Sequence, residues 1–282
     1  MNSERRLKVA VVQLRTPAIQ SAALAHAEPL VRKAAASGAT LILTPECSNI
    51  LQRDRAKLFP ALATVEDDSF VRGLRAVAAE LGIWLIIGSA LVRGEGARAA
   101  NRELVVSPSG AITATYDKLH MFDVDLPTGE RSRESEAYEA GTEAVVTDAA
   151  GVKLGLTICY DVRFPGLHRA LALAGAEVLT IPAAFTRPTG AAHWEILLRA
   201  RAIETGSFVL AAAQGGVHED GRGTWGRSMI VAPWGEVLAA APDDEPCVVT
   251  AEIDLADVEQ ARRAIPALTN ARAFTGPVMI GA

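Results

Sequence analysis

The sequence predicts an α/β protein built as a four-layer α-β-β-α sandwich, and two observations carry that prediction. Strand-like and helix-like stretches alternate through much of the chain, and one hairpin pattern occurs twice in forms that align without a gap. The hairpins are VVSPSGAITATY (105–116) and IVAPWGEVLAAA (230–241), in which Val106, Pro108, Gly110, Ile112 and Ala114 match Val231, Pro233, Gly235, Val237 and Ala239. Two explanations are open: convergence on one turn type, or two similar halves, each a sheet backed by helices. The second sets two sheets face to face with helices outside.

The elements follow in order. KVAVVQL (8–14) reads as a strand, and the alanine-rich 18–37 as a helix stopped by Gly38. Residues 40–44 form a second strand running straight into Pro45-Glu46-Cys47. Asp67 and Asp68 suit the start of a helix over 69–81, which Gly82 closes. A third strand covers 83–92, before the first hairpin. The second half offers a strand at 153–158, a helix at 165–175 opened by Pro165, a strand at 177–181, a helix from about Ala191 and a strand at 208–213. Glu195 stands four residues before Arg199, a supporting pair on that last helix. No linker divides the chain, so residues 1–264 read as one domain, followed by a breaker-rich tail (265–282) that is expected at a subunit interface.

Composition narrows the functional classes. Half of the 282 residues are hydrophobic and 22% are charged, as in a globular protein with a large core. A net charge of −5, with no basic run, argues against nucleic-acid binding. The longest apolar stretch, 81–92, falls short of the ~20 residues a membrane helix needs. The amino terminus lacks a signal-peptide core, and three cysteines (Cys47, Cys159, Cys247) make no disulfide framework, so a cytoplasmic setting is expected. Zinc spacings, a dinucleotide turn and a phosphate loop are all missing, so neither metal nor organic cofactor is expected.

The chemistry centres on KLGLTICYDVRFPG (153–166), which places Cys159 at the carboxyl end of a strand, where α/β sheets build their sites. Read locally, Cys159 fits either a small buried hydrophobe or a nucleophile that needs a base or a cation beside it. Glu46 ends another apolar strand, where a charge is costly unless exposed or paired. Lys118 follows the first hairpin, in a stretch where a solvated lysine is the common case. His120 and His193 are conceivable partners for a Cys-His pair, although no local signature supports one.

Taken together, TPE at Glu46, YDKLHMFDVDLP at Lys118 and ICYDVRFP at Cys159 resemble the nitrilase superfamily of carbon–nitrogen hydrolases over nearly the whole chain. The resemblance implies that superfamily's α-β-β-α sandwich and a Glu-Lys-Cys triad of Glu46, Lys118 and Cys159. It implies a second active-site carboxylate at Glu134, with Glu136 and Glu139 close by in sequence. The segment 182–204 is most similar to the ω-amidase and deaminated-glutathione amidase branch, while Gly215 stands where the latter carry cysteine. The activity this resemblance implies is hydrolysis of small linear amides, through a thioester and with release of ammonia. The Tyr160 N–H would serve the oxyanion, and Arg163, Thr189 and Phe185 would contact a substrate carrying a carboxylate. For Arg163 a salt bridge to Asp161 or Asp123 is the competing assignment. The same triad would also suit an N-carbamoyl amino acid hydrolase or a nitrilase, and a silent oligomeric interaction protein is the alternative of another class. A homo-oligomer with a small-molecule substrate, and no nucleic-acid or membrane partner, completes the expectation.

Overall fold

Alternation along the strands decides which layer each side chain enters. The structure is a computed structural model that describes residues 5–94, 96–126, 129 and 131–277. Its first half runs β1 (Arg6–Gln13), α1 (Gln20–Ala36), β2 (Leu41–Leu43), α2 (Arg55–Ala61), α3 (Ser69–Leu81), β3 (Trp84–Arg93), β4 (Ala99–Val106), β5 (Ile112–Asp117), β6 (Asp123–Asp125) and β7 (Arg131–Arg133). The second runs β8 (Val146–Ala149), β9 (Val152–Gly155), α4 (Pro165–Leu173), β10 (Val178–Thr180), α5 (Arg187–Thr205), β11 (Phe208–Ala211), β12 (Gly215–Val217), β13 (Gly223–Trp225), β14 (Met229–Val231), β15 (Val237–Ala240), β16 (Cys247–Asp254) and α6 (Ala256–Ala264).

In β1, Val9 and Val11 enter one hydrophobic core while Ala10 and Val12 enter another. A strand turns successive residues to opposite faces, so one apolar run fills two layers. Leu41, Leu43, Ile86 and Val105 join Val9 in the core shared with β9, β10 and β11; Ile42, Leu85, Ile87 and Leu104 pack instead with α1 and α3. Leu171 of α4 and Trp194 and Leu198 of α5 belong to the cluster built on the second sheet. The result is the four-layer α-β-β-α sandwich.

The two sheets are copies of one plan. The first has the order β16-β1-β2-β3-β4-β5 and the second, read in the same sense, β8-β9-β10-β11-β14-β15. In each, the second, third and fourth strands are parallel and the outer ones antiparallel. The hairpins agree in detail: Val106 opposes Ile112 and Val231 opposes Val237, each after a register shift at the preceding residue. Gly110 and Gly235 close the two turns at φ +78° and +95°, a region open to glycine at little cost. The aligned hairpins therefore belong to two similar halves.

Some boundaries differ from expectation. The helix expected near Ala191 starts at Arg187, because Pro188 suits a first turn. Gly190 lies where a Cβ would stand 2.3 Å from Trp225. The strand expected over 153–158 ends at Gly155; beyond it the chain bonds to its neighbours through Leu156 N–H to Val145 O and Cys159 N–H to Pro182 O. Helix α2 and strand β16 lie outside the elements expected from the sequence. The tail makes no regular element over 266–277 and is largely exposed, with Arg169 donating to Leu268 O; residues 278–282 and 1–4 lie outside the described residues. No helix among the described residues is long and apolar enough to cross a membrane.

One core residue breaks the pattern. Glu103 shares the inner face of β4 with Asn101 and Val105, is fully buried, and has no hydrogen-bond partner for either carboxyl oxygen among the described residues. Burial, only partly offset by the nearby Thr180 hydroxyl and reinforced by the charge of Asp161, pushes its carboxyl well above the usual range. A raised folded-state pKa means stability that is complete below the unfolded value of ~4.3 and drains away as pH rises toward the folded value. Glu103→Gln is therefore expected to raise Tm at pH 8 by roughly 3 °C or more and to have little effect at pH 4. Melting curves at the two pH values check this, and equal shifts at both would contradict it.

Candidate active site

The carboxyl ends of β2 and β9 and the end of β5 deliver three segments to one cavity of about 480 Å³. All the residues expected to matter line it: Glu46, Lys118, Cys159, Glu134, Tyr160, Arg163, Phe185 and Thr189. The turn carrying Cys159 is a 3-10 helix over Cys159–Arg163, and Cys159 itself has φ +50°, a left-handed conformation costly for a residue with a side chain. Cys159 lines the cavity just past the strand end. The Tyr160 N–H lies in the first turn of that helix, where amides have no partner within the helix.

Lys118 is buried at 2% exposure and held between two carboxylates. Its Nζ donates to Glu46 Oε1 at 2.9 Å and to both oxygens of Glu134 at 2.8 Å. The neighbouring acids go elsewhere: Glu136 pairs with Arg55 and Glu139 with Arg98. Burial works against the ammonium, but the charges of Glu134 and Glu46 outweigh it and hold Lys118 protonated far above neutral pH. Burial likewise opposes the charged form of Glu46, yet Lys118, the Cys159 thiol and Asn101 together bring its pKa below the ordinary value. Glu134 moves the other way, because burial and the charge of Glu46 exceed the help from Lys118. The Cys159 thiol faces Glu46. Burial and that carboxylate push its pKa well up; Lys118 favours the thiolate but is outweighed, so the resting group is a thiol beside a carboxylate base.

Two partners of Glu46 were not found in the sequence. Asn101 Nδ2 donates to Oε1 at 3.0 Å and the Ala184 N–H to Oε2 at 2.9 Å. Asn101 had a signal, a polar residue on the inner face of a strand that ends in Leu104, Val105 and Val106. A backbone amide has none. The histidines are engaged elsewhere: His120 Nδ1 with Asp161 at 2.7 Å and His193 with Arg163 at 3.3 Å.

Arg163 pairs with neither Asp161 nor Asp123. Asp161 is taken by Tyr116, His120 and the Ile158 N–H, and Asp123 by Ser135. Its guanidinium instead lies 5.2 Å from the Phe185 ring centre and 5.9 Å from that of Tyr160, on the cavity wall. Phe185 packs in turn on Trp194. The Thr189 hydroxyl is occupied locally, donating to Thr186 O at 3.3 Å. Further arginines line the outer wall, and Arg55, Arg133 and Arg222 among them pair with Glu136, Asp125 and Asp220.

Comparison with known proteins gives the family. The family model described as carbon-nitrogen hydrolase matches residues 8–263. The chain belongs to the carbon–nitrogen hydrolase family. Deaminated glutathione amidase of Homo sapiens is 42% identical over 249 residues, covering 86% of this chain and 75% of the relative. The crystal structure of the C. elegans NitFhit protein superposes with a TM-score of 0.89 at 36% identity, over 96% of this chain and 66% of that one. A mutant amidase from Nesterenkonia sp. AN1, solved with acrylamide added at its active-site cysteine, has a TM-score of 0.76 at 26% identity, covering 92% and 97%. As a carbon–nitrogen hydrolase with these relatives, the protein is an amide-hydrolysing enzyme.

Proposed function

We propose that this enzyme hydrolyses the terminal amide of small linear substrates that carry a carboxylate, of the deaminated glutathione or 2-oxoglutaramate type, using Glu46, Lys118 and Cys159. The observation that carries the proposal is the buried ammonium of Lys118, clamped by Glu46 and Glu134 beside a thiol that faces Glu46. Glu46 takes the thiol proton as sulfur attacks the amide carbon. Negative charge then develops on the former carbonyl oxygen, where Lys118 and the Tyr160 N–H stabilise it without reorganising. Glu46 returns the proton to the departing nitrogen, and ammonia leaves. Water, deprotonated by the same carboxylate, hydrolyses the thioester and restores the thiol. Glu134 holds Lys118 in place and keeps the pair of acids from sharing one role, since their pKa values are moved apart.

The arginine-lined wall supports an anionic substrate, and Arg163 stands on the nucleophile's own turn. Its fork suits a carboxylate bidentately, and the Phe185 and Tyr160 rings support it from below. Arg163→Lys keeps the charge and loses the fork. It is expected to raise KM about tenfold for carboxylate-bearing amides and to spare neutral amides. Equal losses on both would count against the role.

The function as a whole is tested by ammonia release from deaminated glutathione, 2-oxoglutaramate, an N-carbamoyl amino acid and a nitrile. Preference for either of the first two supports the proposal. Preference for the carbamoyl compound or the nitrile reassigns the substrate, and no release from any points to a silent protein. The proposal includes a reducing, cytoplasmic setting, which three free cysteines suit. It also includes a homo-oligomer with the tail packed between subunits. Leu173, Ile203, Trp234 and Ile265 are each more than half exposed and line one hollow against the start of the tail, which supports it.

A further inference from the structure

Among the side chains joining the segments that bear Lys118 and Cys159, one makes hydrogen bonds to both and takes no part in the chemistry above. Asp161 is fully buried, two residues past the nucleophile. Its Oδ2 accepts from the Ile158 N–H at 2.9 Å and from the Tyr116 hydroxyl at 2.7 Å. Its Oδ1 accepts from the His120 N–H at 3.0 Å and lies 2.7 Å from His120 Nδ1. Ile158 immediately precedes Cys159, while Tyr116 and His120 stand on either side of Lys118. One carboxylate therefore grips the residue before the sulfur and both flanks of the ammonium. The grip is braced from outside, since the His120 ring stacks on Phe164 at 3.5 Å, and Phe164 closes the nucleophile's turn by donating its N–H to Asp161 O.

We propose that Asp161 is the positioning residue that sets the distance between Lys118 and Cys159, and that turnover depends on it through that distance and not through proton transfer. The inference rests on the triad reading above. The need for such a latch is physical: Lys118 comes from a strand of one sheet and Cys159 from the other, and the Cys159 turn is in a conformation the backbone does not favour by itself. An oxyanion donor works only when fixed where charge will develop, so two sheets moving apart slightly would lose the effect. An ionised aspartate accepts at both oxygens, which matches the surrounding donors.

The decisive variant is Asp161→Asn. An asparagine accepts on one side only, and each side of Asp161 meets a backbone N–H, so its NH2 must face one of them whichever way it turns. We expect kcat per alkylatable thiol to fall about 100-fold while KM stays within about threefold, as for a displaced reacting group. Tyr116→Phe removes one ligand of the latch and is expected to lower kcat several-fold in the natural enzyme. In an Asp161→Asn background it should lower kcat no further, because both changes break the same link. A merely structural role would lower the yield of folded, alkylatable enzyme and leave kcat per thiol unchanged. Should Asp161→Asn fail to fold, Tyr116→Phe and His120→Ala test the two oxygens separately, each with a fall in kcat at unchanged KM. The proposal is overturned if kcat per thiol stays near the natural value in Asp161→Asn, or in both single-ligand variants. It is also overturned if the effects of Tyr116→Phe and Asp161→Asn multiply. An enzyme inactive on every amide before any substitution would reject the triad reading instead, which keeps the two failures apart.

Discussion

Replacing Lys118 by methionine is expected to abolish amide turnover and to make the fold sensitive to alkali. The ammonium is the only cation bonded to either Glu46 or Glu134 among the described residues. Methionine matches its stem but leaves two buried carboxylates side by side. Removing one partner of a buried ion pair typically costs about 3–5 kcal/mol, because the remaining charge is uncompensated. The acids respond by holding a proton, which raises at least one folded pKa above its unfolded value. By the sign of the linkage, the variant keeps most of its stability below the unfolded pKa of ~4.3 and loses it as pH rises. The natural enzyme does the opposite at Glu46, whose depressed pKa contributes stability that is complete above the unfolded value of ~4.3 and is lost as pH falls toward the folded value. Melting at pH 5 and pH 8 should show a much larger deficit at pH 8, with kcat/KM down by at least about 10³. A variant that melts like the natural protein at both pH values would refute the account of the clamp.

Glu46→Gln separates two effects that usually travel together. Without its base the enzyme should lose about 10³- to 10⁴-fold in turnover, near the upper end for general-base removal. Its fold should survive, since Lys118 keeps Glu134, although the glutamine NH2 has to face either the Ala184 N–H or the Lys118 and Asn101 donors. The thiol should become more acidic, because the charge of Glu46 raises its pKa and that of Lys118 lowers it. Iodoacetamide should therefore modify Cys159 faster than in the natural enzyme at neutral pH, although amides are no longer cleaved. Parallel rate measurements check this. If alkylation and turnover fall together, Glu46 orients the nucleophile and does not serve as its base.

Much of the architecture was legible because it is written locally. The period of two in KVAVVQL, the glycine stops at Gly38 and Gly82, and the matching hairpins each depend on neighbours a few residues apart. Misread elements were those whose signal is not local. Helix α5 starts four residues early because Pro188 is compatible with a first turn and Gly190 makes room for Trp225. Strand β16 exists because it pairs with β1 from the far end of the chain, Cys247 opposite Gln13 and Asp254 opposite Arg6.

What the sequence determined alone was the kind of group present at each strand end: a carboxylate after β2, an amine after β5 and a thiol after β9. Side-chain chemistry is carried by residue identity, and no folding is needed to read it. What only the tertiary structure decided was their partnership. Glu134 reaches Lys118 while Glu136 and Glu139 turn to arginines, Asn101 crosses to Glu46, and Asp161 ties one sheet's lysine to the other's cysteine. These contacts join residues as many as 81 positions apart, and a protonation state is set by the charges and burial such contacts create. A thiol, an acid and an amine are ordinary groups until the packing of two sheets excludes water from around them.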